Sequence, residues 1–244
     1  MGRHVIRLDS VESTNNFAAT MLQANIAEGA VIVAREQTGG RGQRGNSWFS
    51  EPGKNLTLTY ILRPGFISVE DQYLLNKAIA VAVARTTELI VPASFVRIKW
   101  PNDIFLENRK LAGVLVETSV KGSQIVSCLA GIGLNVNQTA FQVSGGNPVS
   151  LAMELGRELK LDEVMNLLSK QLEVYYLKLR SGQRNLITQE YNALLWKRGH
   201  LHTFQKDGKD FPAVIEHVDE QGRLVLLLEN GVEEAFVHGS IQWF

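Results

Sequence analysis

The stretch FVRIKWPNDIFLENRKLAGVLVETSVKGSQIVSCLAGIGLNVN (residues 95–137) decides the fold. It contains four β-prone segments, at residues 95–100, 104–106, 110–118 and 124–137, which predict four successive strands. Gly122-Ser123 fits a tight hairpin turn between the last two of them. This part of the chain is therefore expected to build a β-sheet.

The sequence upstream adds both strands and helices. Strands are predicted at residues 4–8, 30–35 and 55–62, the last from alternating and β-branched residues. A helix is predicted over residues 14–27. Apolar residues recur at helical spacing between residues 74 and 89, which predicts a long amphipathic helix. The front of the chain is thus α+β.

The pattern changes downstream of residue 147. Helices are predicted at residues 161–179 and 186–195, and beyond them short strands alternate with tight turns. We therefore predict two domains. The first, residues 1–195, is α+β, with a mixed or antiparallel sheet flanked by helices. The second, residues 196–244, is a compact β-barrel.

Composition narrows the class of protein. The chain has 244 residues, with 25 Lys+Arg against 25 Asp+Glu, so its formal net charge is zero and no global basic field favours DNA. The single cysteine excludes an intrachain disulfide. The apolar run at residues 78–84 is far shorter than the roughly 20 residues that span a bilayer. No signal peptide is recognisable. A cytoplasmic protein without membrane partners is expected.

The segment GGRGQRGNSW (residues 39–48) combines four glycines with two arginines. Glycines let backbone N–H groups converge on an anion, and arginines add charged donors. Gly40, Gly42 and Gly45 match the dinucleotide-binding spacing, but no helix start follows and no acidic residue lies at 60–65. A Walker A loop is excluded because Asn46 stands where it needs Lys. A flexible surface loop remains the alternative.

Three further segments suggest a site, each with a structural alternative. Lys99–Asp103 (KWPND) places a lysine and a carboxylate at one strand end, although Pro-Asn-Asp is also ordinary turn chemistry. Lys110 either lies in solvent or points at an anion in a pocket. Gly113, and Gly131 with Gly133, leave room for a flat ligand on a strand, or mark a bulge.

Two more segments have similar alternatives. Ser13-Thr14-Asn15 precedes a predicted helix, where Ser13 would most simply be an N-cap. Trp48 would lie either in the core or against a base. The five histidines lack the spacing of a zinc site.

In this order, the segments resemble the catalytic-domain blocks of the biotin protein ligases. The matching blocks are Ser13-Thr14-Asn15, residues 37–48, KWPND at 99–103, KLAGVLVE at 110–117 and GIGLNVN at 131–137. The resemblance implies a class II synthetase-like catalytic domain followed by an SH3-like barrel. Many members carry an N-terminal winged helix that binds operator DNA. This chain resembles the ligase-only class without it, so no DNA partner is expected.

The resemblance implies ATP and biotin as substrates and Mg²⁺ as cofactor. Biotin would be activated as biotinyl-5′-AMP and transferred to a lysine of a biotin carboxyl carrier domain, the expected partner. The expected catalytic residues are Lys110 and Arg41, which would neutralise the carboxylate and the phosphates, and Asp103, a hypothesis that rests on its being a lone carboxylate beside the KWPN turn. Those implied for biotin are Ser13, Thr14, Asn15, Gln37, Gly40, Arg41, Lys110, Gly113, Gly131 and Gly133. Those implied for ATP and the adenylate are Arg41, Gly42, Gln43, Arg44, Trp48, Asn102, Lys110 and Asn135.

One position departs from the resemblance. The loop of the family usually reads Gly-Arg-Gly-Arg-x-Gly, and here Gln43 replaces the second arginine, with Arg44 next to it. We expect the loop to order as a lid over the adenylate. With Gln43 this lid should retain the adenylate less well, and Gln43→Arg should slow its escape.

Alternatives remain at this point. A lipoate-type ligase or acyl transferase of related fold would use a different acid. A non-catalytic binding module built on the C-terminal barrel and a DNA-binding repressor are less favoured. The loop arginines together with Lys110 argue against a non-catalytic binding module. The lack of a helix-turn-helix argues against a DNA-binding repressor. The metal ligands and a homodimer are left open.

Overall fold

The four segments within residues 95–137 form four consecutive antiparallel strands. We describe a computed structural model that covers residues 1–24, 26–92, 94–141 and 147–243. The four strands within residues 95–137 and three strands earlier in the chain make one seven-stranded sheet. In chain order its strands are β1 (Val5–Val11), β2 (Val31–Gln37), β3 (Leu56–Leu62), β4 (Val96–Lys99), β5 (Asp103–Leu106), β6 (Arg109–Lys121) and β7 (Gln124–Leu134).

The sheet is mixed, as predicted. Its strand order is β1-β2-β3-β7-β6-β5-β4. The β1–β2 pair is parallel and the other neighbouring strands are antiparallel. Gly122 has a φ of 62° between β6 and β7, where a residue without a side chain suits the tight turn. This hairpin places Gly113 directly opposite Gly133.

Helices cover both faces of this sheet. They are α1 (Thr14–Gln23), α2 (Tyr73–Ile90), α3 (Leu151–Leu155), α4 (Leu161–Arg180) and α5 (Arg184–Ala193). Successive side chains of a strand point to opposite faces. Val31 and Val33 accordingly join the larger core, which includes residues of α2 and α4, and Ile32 joins a smaller core beside α1. The predicted α+β class is confirmed.

Two local predictions need correction. The first helix ends at Gln23 rather than at residue 27. The short helix α3 is absent from the sequence-based prediction, because five residues are too few to show a helical repeat. Its ends have ordinary signals: Ser150 accepts a hydrogen bond from the Met153 amide, and Gly156 ends it with a φ of 66°.

A second, antiparallel sheet lies at the C-terminal end of the chain. Its strands are β8 (Leu201–Lys206), β9 (Lys209–Val218), β10 (Leu224–Leu228), β11 (Glu233–Phe236) and β12 (Gln242–Trp243), in the order β11-β10-β9-β8-β12. The predicted tight turns occur between its strands, with positive φ at Gly208, Gly222 and Gly231. The small β unit is confirmed. The domain boundary at 195/196 and the SH3-like character stay predictions.

The segment that leads from α5 to the second sheet pairs with β4 through backbone hydrogen bonds. The Ile98 amide of β4 donates to Leu194 O at 2.8 Å, and the Trp196 amide donates to Ile98 O at 2.9 Å.

The cysteine, Cys128, is fully buried in β7, and this burial raises the pKa of its thiol to about 12. No helix within the described ranges is long and apolar enough to cross a bilayer.

Candidate active site

A cavity of about 410 Å³ lies between the seven-stranded sheet, the glycine-rich loop and the end of the second sheet. It brings together most of the predicted site residues, although they come from separate segments of the sequence. The predicted residues that line it are Ser13, Thr14, Asn15, Gln37, Arg41, Gly42, Gln43, Trp48, Asn102, Asp103, Lys110, Gly113, Gly131 and Gly133.

One end of the cavity is a cluster of neutral polar side chains. The Thr14 amide and hydroxyl lie 2.7 and 3.0 Å from Gln37 Oε1, which accepts both hydrogen bonds. Thr59 Oγ1 is 2.6 Å from Asn15 Oδ1. Ser13 stands at the N-cap position of α1 but makes no capping bond with its side chain. Ser13 is thus the N-cap residue by position, as predicted, but Gln37 of β2 rather than the Ser13 side chain accepts from the Thr14 amide of the first turn.

Some donors of this cluster remain available. Within the described part of the chain, neither the Ser13 hydroxyl nor Gln37 Nε2 has a hydrogen-bond partner, and both residues line the cavity. Ser13 is only 2% exposed. A ligand that covered these donors without pairing them would cost about 1–3 kcal/mol for each, so the two groups favour a ligand that accepts hydrogen bonds.

Arg41 is held by side chains in the structure described. Its guanidinium donates to Asn16 Oδ1 at 2.6 Å and to Glu117 Oε1 at 2.8 Å. The other carboxylate oxygen of Glu117 accepts from Asn15 Nδ2 at 2.7 Å. Because the Arg41 and Glu117 side chains are 46% and 35% exposed, this ion pair is weak enough to exchange for another anion.

Lys110 forms the second charged pair of the cavity. Its ammonium lies 2.7 Å from Asp103 Oδ2. Asp103 begins β5 and Lys110 lies near the start of β6, and the irregular register between these two strands brings the side chains together. Lys110 therefore points into the cavity, which agrees with the predicted pocket lysine and not with a lysine directed into solvent.

Trp48 lies across the glycines of β6 and β7. A Cβ atom on Gly113 would come within 3.2 Å of the indole, and one on Gly133 within 2.2 Å. A side chain on Gly131 would instead meet Asn15 Oδ1 at 2.3 Å. The indole Nε1 is buried without a hydrogen-bond partner in the described structure. The glycines thus form a floor that accepts a flat ring.

Three predicted site residues do not line the cavity. Asn135 is buried and donates its side-chain amide to Val149 O at 3.1 Å. Arg44, at a φ of 54°, donates to the carbonyl of His238. Gly40 has no room for a side chain, since a Cβ would lie 2.3 Å from Trp48 O. The cavity lining therefore gives no support for the prediction that these three residues contact a ligand.

The cavity also contains residues that the sequence analysis did not assign. Lys99 lines it with its ammonium 5.1 Å from the Trp196 ring centroid and 5.4 Å from that of Trp243. Burial lowers the pKa of Lys99. Burial, and then the positive charge of Arg44, lower the pKa of His238. Lys99 lies inside the KWPND motif, whereas the C-terminal residues carry no motif that could have marked them.

The acidic side chain of the lining is Asp103. Within the described residues, no group of three or more His, Cys, Asp and Glu side chains is placed to hold a metal ion. A self-contained metal centre is therefore not seen in that part of the chain. Among the described residues, the chemistry of the cavity rests on cations, amide donors and the Asp103 carboxylate.

The same segments are matched by a known protein family. The profile of the biotin/lipoate A/B protein ligase family matches residues 7–135, which is more than half of the chain. The chain belongs to the biotin/lipoate A/B protein ligase family. The matched region contains the glycine-rich loop and both charged pairs of the cavity.

Individual relatives agree with this assignment. The bifunctional ligase/repressor BirA of Bacillus subtilis is 37% identical over 138 residues, 57% of this chain but only 42% of its own length. The chain therefore spans less than half of that relative. The biotin–[acetyl-CoA-carboxylase] ligase of Paracoccus denitrificans is 29% identical over 220 residues, 87% of this chain and 90% of its own.

A solved structure confirms the fold. The biotin protein ligase from Aquifex aeolicus in complex with biotin and ATP has a TM-score of 0.81 against this chain at 23% identity. The match covers 99% of each chain, so it includes the second sheet. The predicted class of fold, a biotin ligase-like sheet with helices plus a small β unit, is thereby confirmed.

Proposed function

We propose that the chain is an ATP-dependent ligase that activates biotin as biotinyl-5′-AMP and transfers it to a lysine of a biotin carboxyl carrier domain. The observation that carries this proposal is the cavity itself, in which Arg41 and Lys110 face a polar pocket beside a glycine floor. Family membership and the activities for which the relatives are named support it.

The activation step requires two anions to react. The biotin carboxylate attacks the α-phosphorus of ATP, a P–O bond to pyrophosphate breaks, and the mixed anhydride forms. Arg41 and Lys110 would offset the repulsion, and both are paired with carboxylates until substrates arrive. Positioned cations in a sheltered site stabilise charge that develops in the transition state.

The acid is proposed to be biotin because of the neutral polar cluster. The ureido ring of biotin carries a carbonyl acceptor, and the Ser13 hydroxyl and Gln37 Nε2 are donors with no other described partner. The dithiolane ring of lipoate offers no comparable acceptor, so it would leave both donors unpaired. A lipoate-type ligase remains the second candidate, since the family includes such enzymes.

Mg²⁺ would fit this site only together with the nucleotide. The ion needs one or two carboxylates besides phosphate oxygens, and Asp103 is the acidic residue of the cavity lining. The nucleotide phosphates would hold the ion, with Asp103 as an additional ligand on which adenylate formation does not depend, and the ion would supply charge neutralisation at the phosphates. Trp48 would cover the adenine after its indole leaves the glycine floor that it occupies in this structure, and Asn102 would lie near the ribose and phosphate.

The transfer step needs a neutral amine from the carrier lysine, whose ordinary pKa is about 10.4. We propose that Asp103, once pyrophosphate has left, orients this amine or accepts its proton. The amine then attacks the anhydride carbonyl, and AMP leaves. We further propose the carrier domain as partner, a cytoplasmic location and a lack of DNA binding.

The test follows both half-reactions with purified protein. Exchange of labelled pyrophosphate into ATP is measured with Mg²⁺ and either biotin or lipoate. We expect exchange with biotin and not with lipoate, followed by labelling of a carboxylase carrier domain. Exchange with lipoate alone would establish the second candidate, and no exchange with either acid would refute ligase activity.

A further inference from the structure

Lys77 is a buried lysine that the proposed reaction does not use. It lies in α2, is 0% exposed and does not line the cavity. Its ammonium is 5.8 Å from the ring centroid of Tyr73 and 5.9 Å from that of Tyr191. A lysine is rarely buried this completely, so the contacts that hold it call for a physical explanation.

The ammonium of Lys77 binds the turn between β9 and β10 of the second sheet. It donates to Val218 O at 3.1 Å and to Asp219 O at 2.9 Å. Both acceptors are neutral carbonyls, and within the described residues Lys77 forms no ion pair. The Asp219 carboxylate is instead paired with Arg223 at 2.7 Å. Burial lowers the pKa of Lys77 to about 8, which reflects the energetic penalty of this placement.

The same turn contacts the wall of the cavity. The indole N–H of Trp100 donates to Gly222 O at 2.9 Å. Gly222 is pressed against α2, since a Cβ there would lie 2.2 Å from the Tyr73 ring. Trp100 and Pro101 line the cavity and directly precede Asn102 and Asp103.

Two tyrosines complete this support. Tyr191 donates its hydroxyl to Pro101 O at 2.9 Å, and Tyr73 donates to the same carbonyl at 3.3 Å. These are the rings against which the Lys77 ammonium lies. The lysine, the turn at 218–222 and the Trp100-Pro101 segment therefore form one continuous contact from the second sheet to the cavity.

We infer that Lys77 is a positioning residue of the ligase: it fixes the turn at 218–222 against Trp100 and thereby sets the place of Asn102 and Asp103. The inference rests on the proposed function and deepens it. It assigns the second sheet a role in aligning the reacting groups from behind the cavity. The biotin end of the cavity, at Ser13 and Gln37, lies on other elements and is not part of this contact.

The first test is Lys77→Met, which keeps the length of the side chain and removes its donors. We expect kcat for carrier labelling to fall by about tenfold to a hundredfold, as for small misplacements of reacting groups, while KM for biotin stays within about twofold. Amide hydrogen exchange should rise at residues 217–224 and 99–104. Lys170→Met, at an exposed lysine of α4, is the control and should match wild type.

A second variant guards against simple loss of folding. Gly222→Ala would push the turn away from Tyr73. Gly231→Ala is the matched control: Gly231 has a φ of 79° against 83° at Gly222, and a Cβ on Gly231 would have no atom within 4 Å. Both carry the same backbone strain. We expect Gly222→Ala to lower kcat and Gly231→Ala to leave it unchanged.

The outcomes separate this inference from the proposed function. If wild type exchanges pyrophosphate with biotin but Lys77→Met and Gly222→Ala keep the wild-type kcat, the positioning role is refuted and the ligase stands. Faster amide exchange in the variants without a change in kcat would refute the positioning role as well. If wild type shows no biotin-dependent exchange, the proposed function and the inference fail together.

Discussion

Lys110 and Lys77 show two opposite ways of using a lysine in one chain. Lys110 is 38% exposed and lies 2.7 Å from the Asp103 carboxylate. Lys77 is fully buried and donates to two backbone carbonyls. The first lysine can exchange its partner for an incoming anion. The second cannot move without leaving carbonyls unpaired in the interior.

The difference teaches where charge is exchangeable in this molecule. An exposed ion pair contributes little stability, typically under about 1 kcal/mol, so substrate can replace one partner at low cost. A buried ammonium is costly unless its hydrogen bonds are satisfied, so it specifies one arrangement. The cavity pairs belong to the first kind, and the contact between the sheets belongs to the second.

The largest effect is expected at the exchangeable lysine. Lys110→Met should lower the rate of biotin-dependent pyrophosphate exchange by about a hundredfold to a thousandfold, as when one charge-stabilising donor is removed. Lys121→Met, near the far end of the same strand, is the matched control because it is exposed. A Lys110→Met enzyme with wild-type exchange would exclude this residue from the first half-reaction.

The carboxylate partner should separate the two half-reactions. Asp103→Ala should still form adenylate, but it should transfer biotin to the carrier about a hundredfold more slowly, the size of a lost general base. Single-turnover transfer from preformed adenylate measures this step directly. Normal transfer by Asp103→Ala would show that the acceptor amine needs no help from this side chain.

The buried lysine should make stability depend on pH. Its pKa is about 8 in the folded chain against an ordinary 10.5, so between these values the unfolded chain binds more protons. Stability should therefore rise with pH, by at most about 1.4 kcal/mol per pH unit. The groups that face Lys77, namely Tyr73, Tyr191, Asp219 and Glu220, remain in the variant.

Urea unfolding of wild type and Lys77→Met at about pH 7.5, 8.5 and 9.5, which spans the titration range, isolates this contribution. The free energy of unfolding of wild type should gain on that of the variant as pH rises. Lys170→Met should run parallel to wild type. If the difference in the free energy of unfolding between wild type and Lys77→Met stays constant with pH, Lys77 keeps its proton throughout this range.

The smallest effect is expected at the pair that holds Arg41. Glu117→Gln removes the charge that competes with phosphate for the guanidinium, so KM for ATP should fall about two- to fivefold, the worth of an exposed ion pair. Glu163→Gln, in an exposed i,i+3 pair of α4, is the control. An increase in KM would mean that Glu117 aligns Arg41 for ATP instead of withholding it.

Much of the fold could be predicted because its signals are local. The strands between residues 95 and 137 repeat apolar residues over short distances and are separated by turn residues, and all four occur. The helix α3 could not be predicted, because its five residues show no repeat. Helix α1 ends at Gln23, where the Ala24 amide donates to Met21 O and closes the last turn, a local bond that apolar spacing does not reveal.

The site was predictable where neighbouring motifs carry both members of a contact. Asp103 and Lys110 lie in such motifs, and the hairpin between their strands explains their ion pair. His238 and Trp243 could not be found, since they reach the cavity only after the second sheet docks. Trp48 fitted two interpretations in the sequence, and only the folded chain places its indole on Gly113 and Gly133.

The cysteine of β7 offers a built-in reporter. Cys128 is fully buried on the strand that carries Gly131 and Gly133, and its raised pKa leaves almost no thiolate at neutral pH. A maleimide should therefore label the native chain only when this strand leaves its neighbours. The rate of alkylation would therefore report how often this strand separates from its neighbours. Substrates that bind against the glycines should lower that rate.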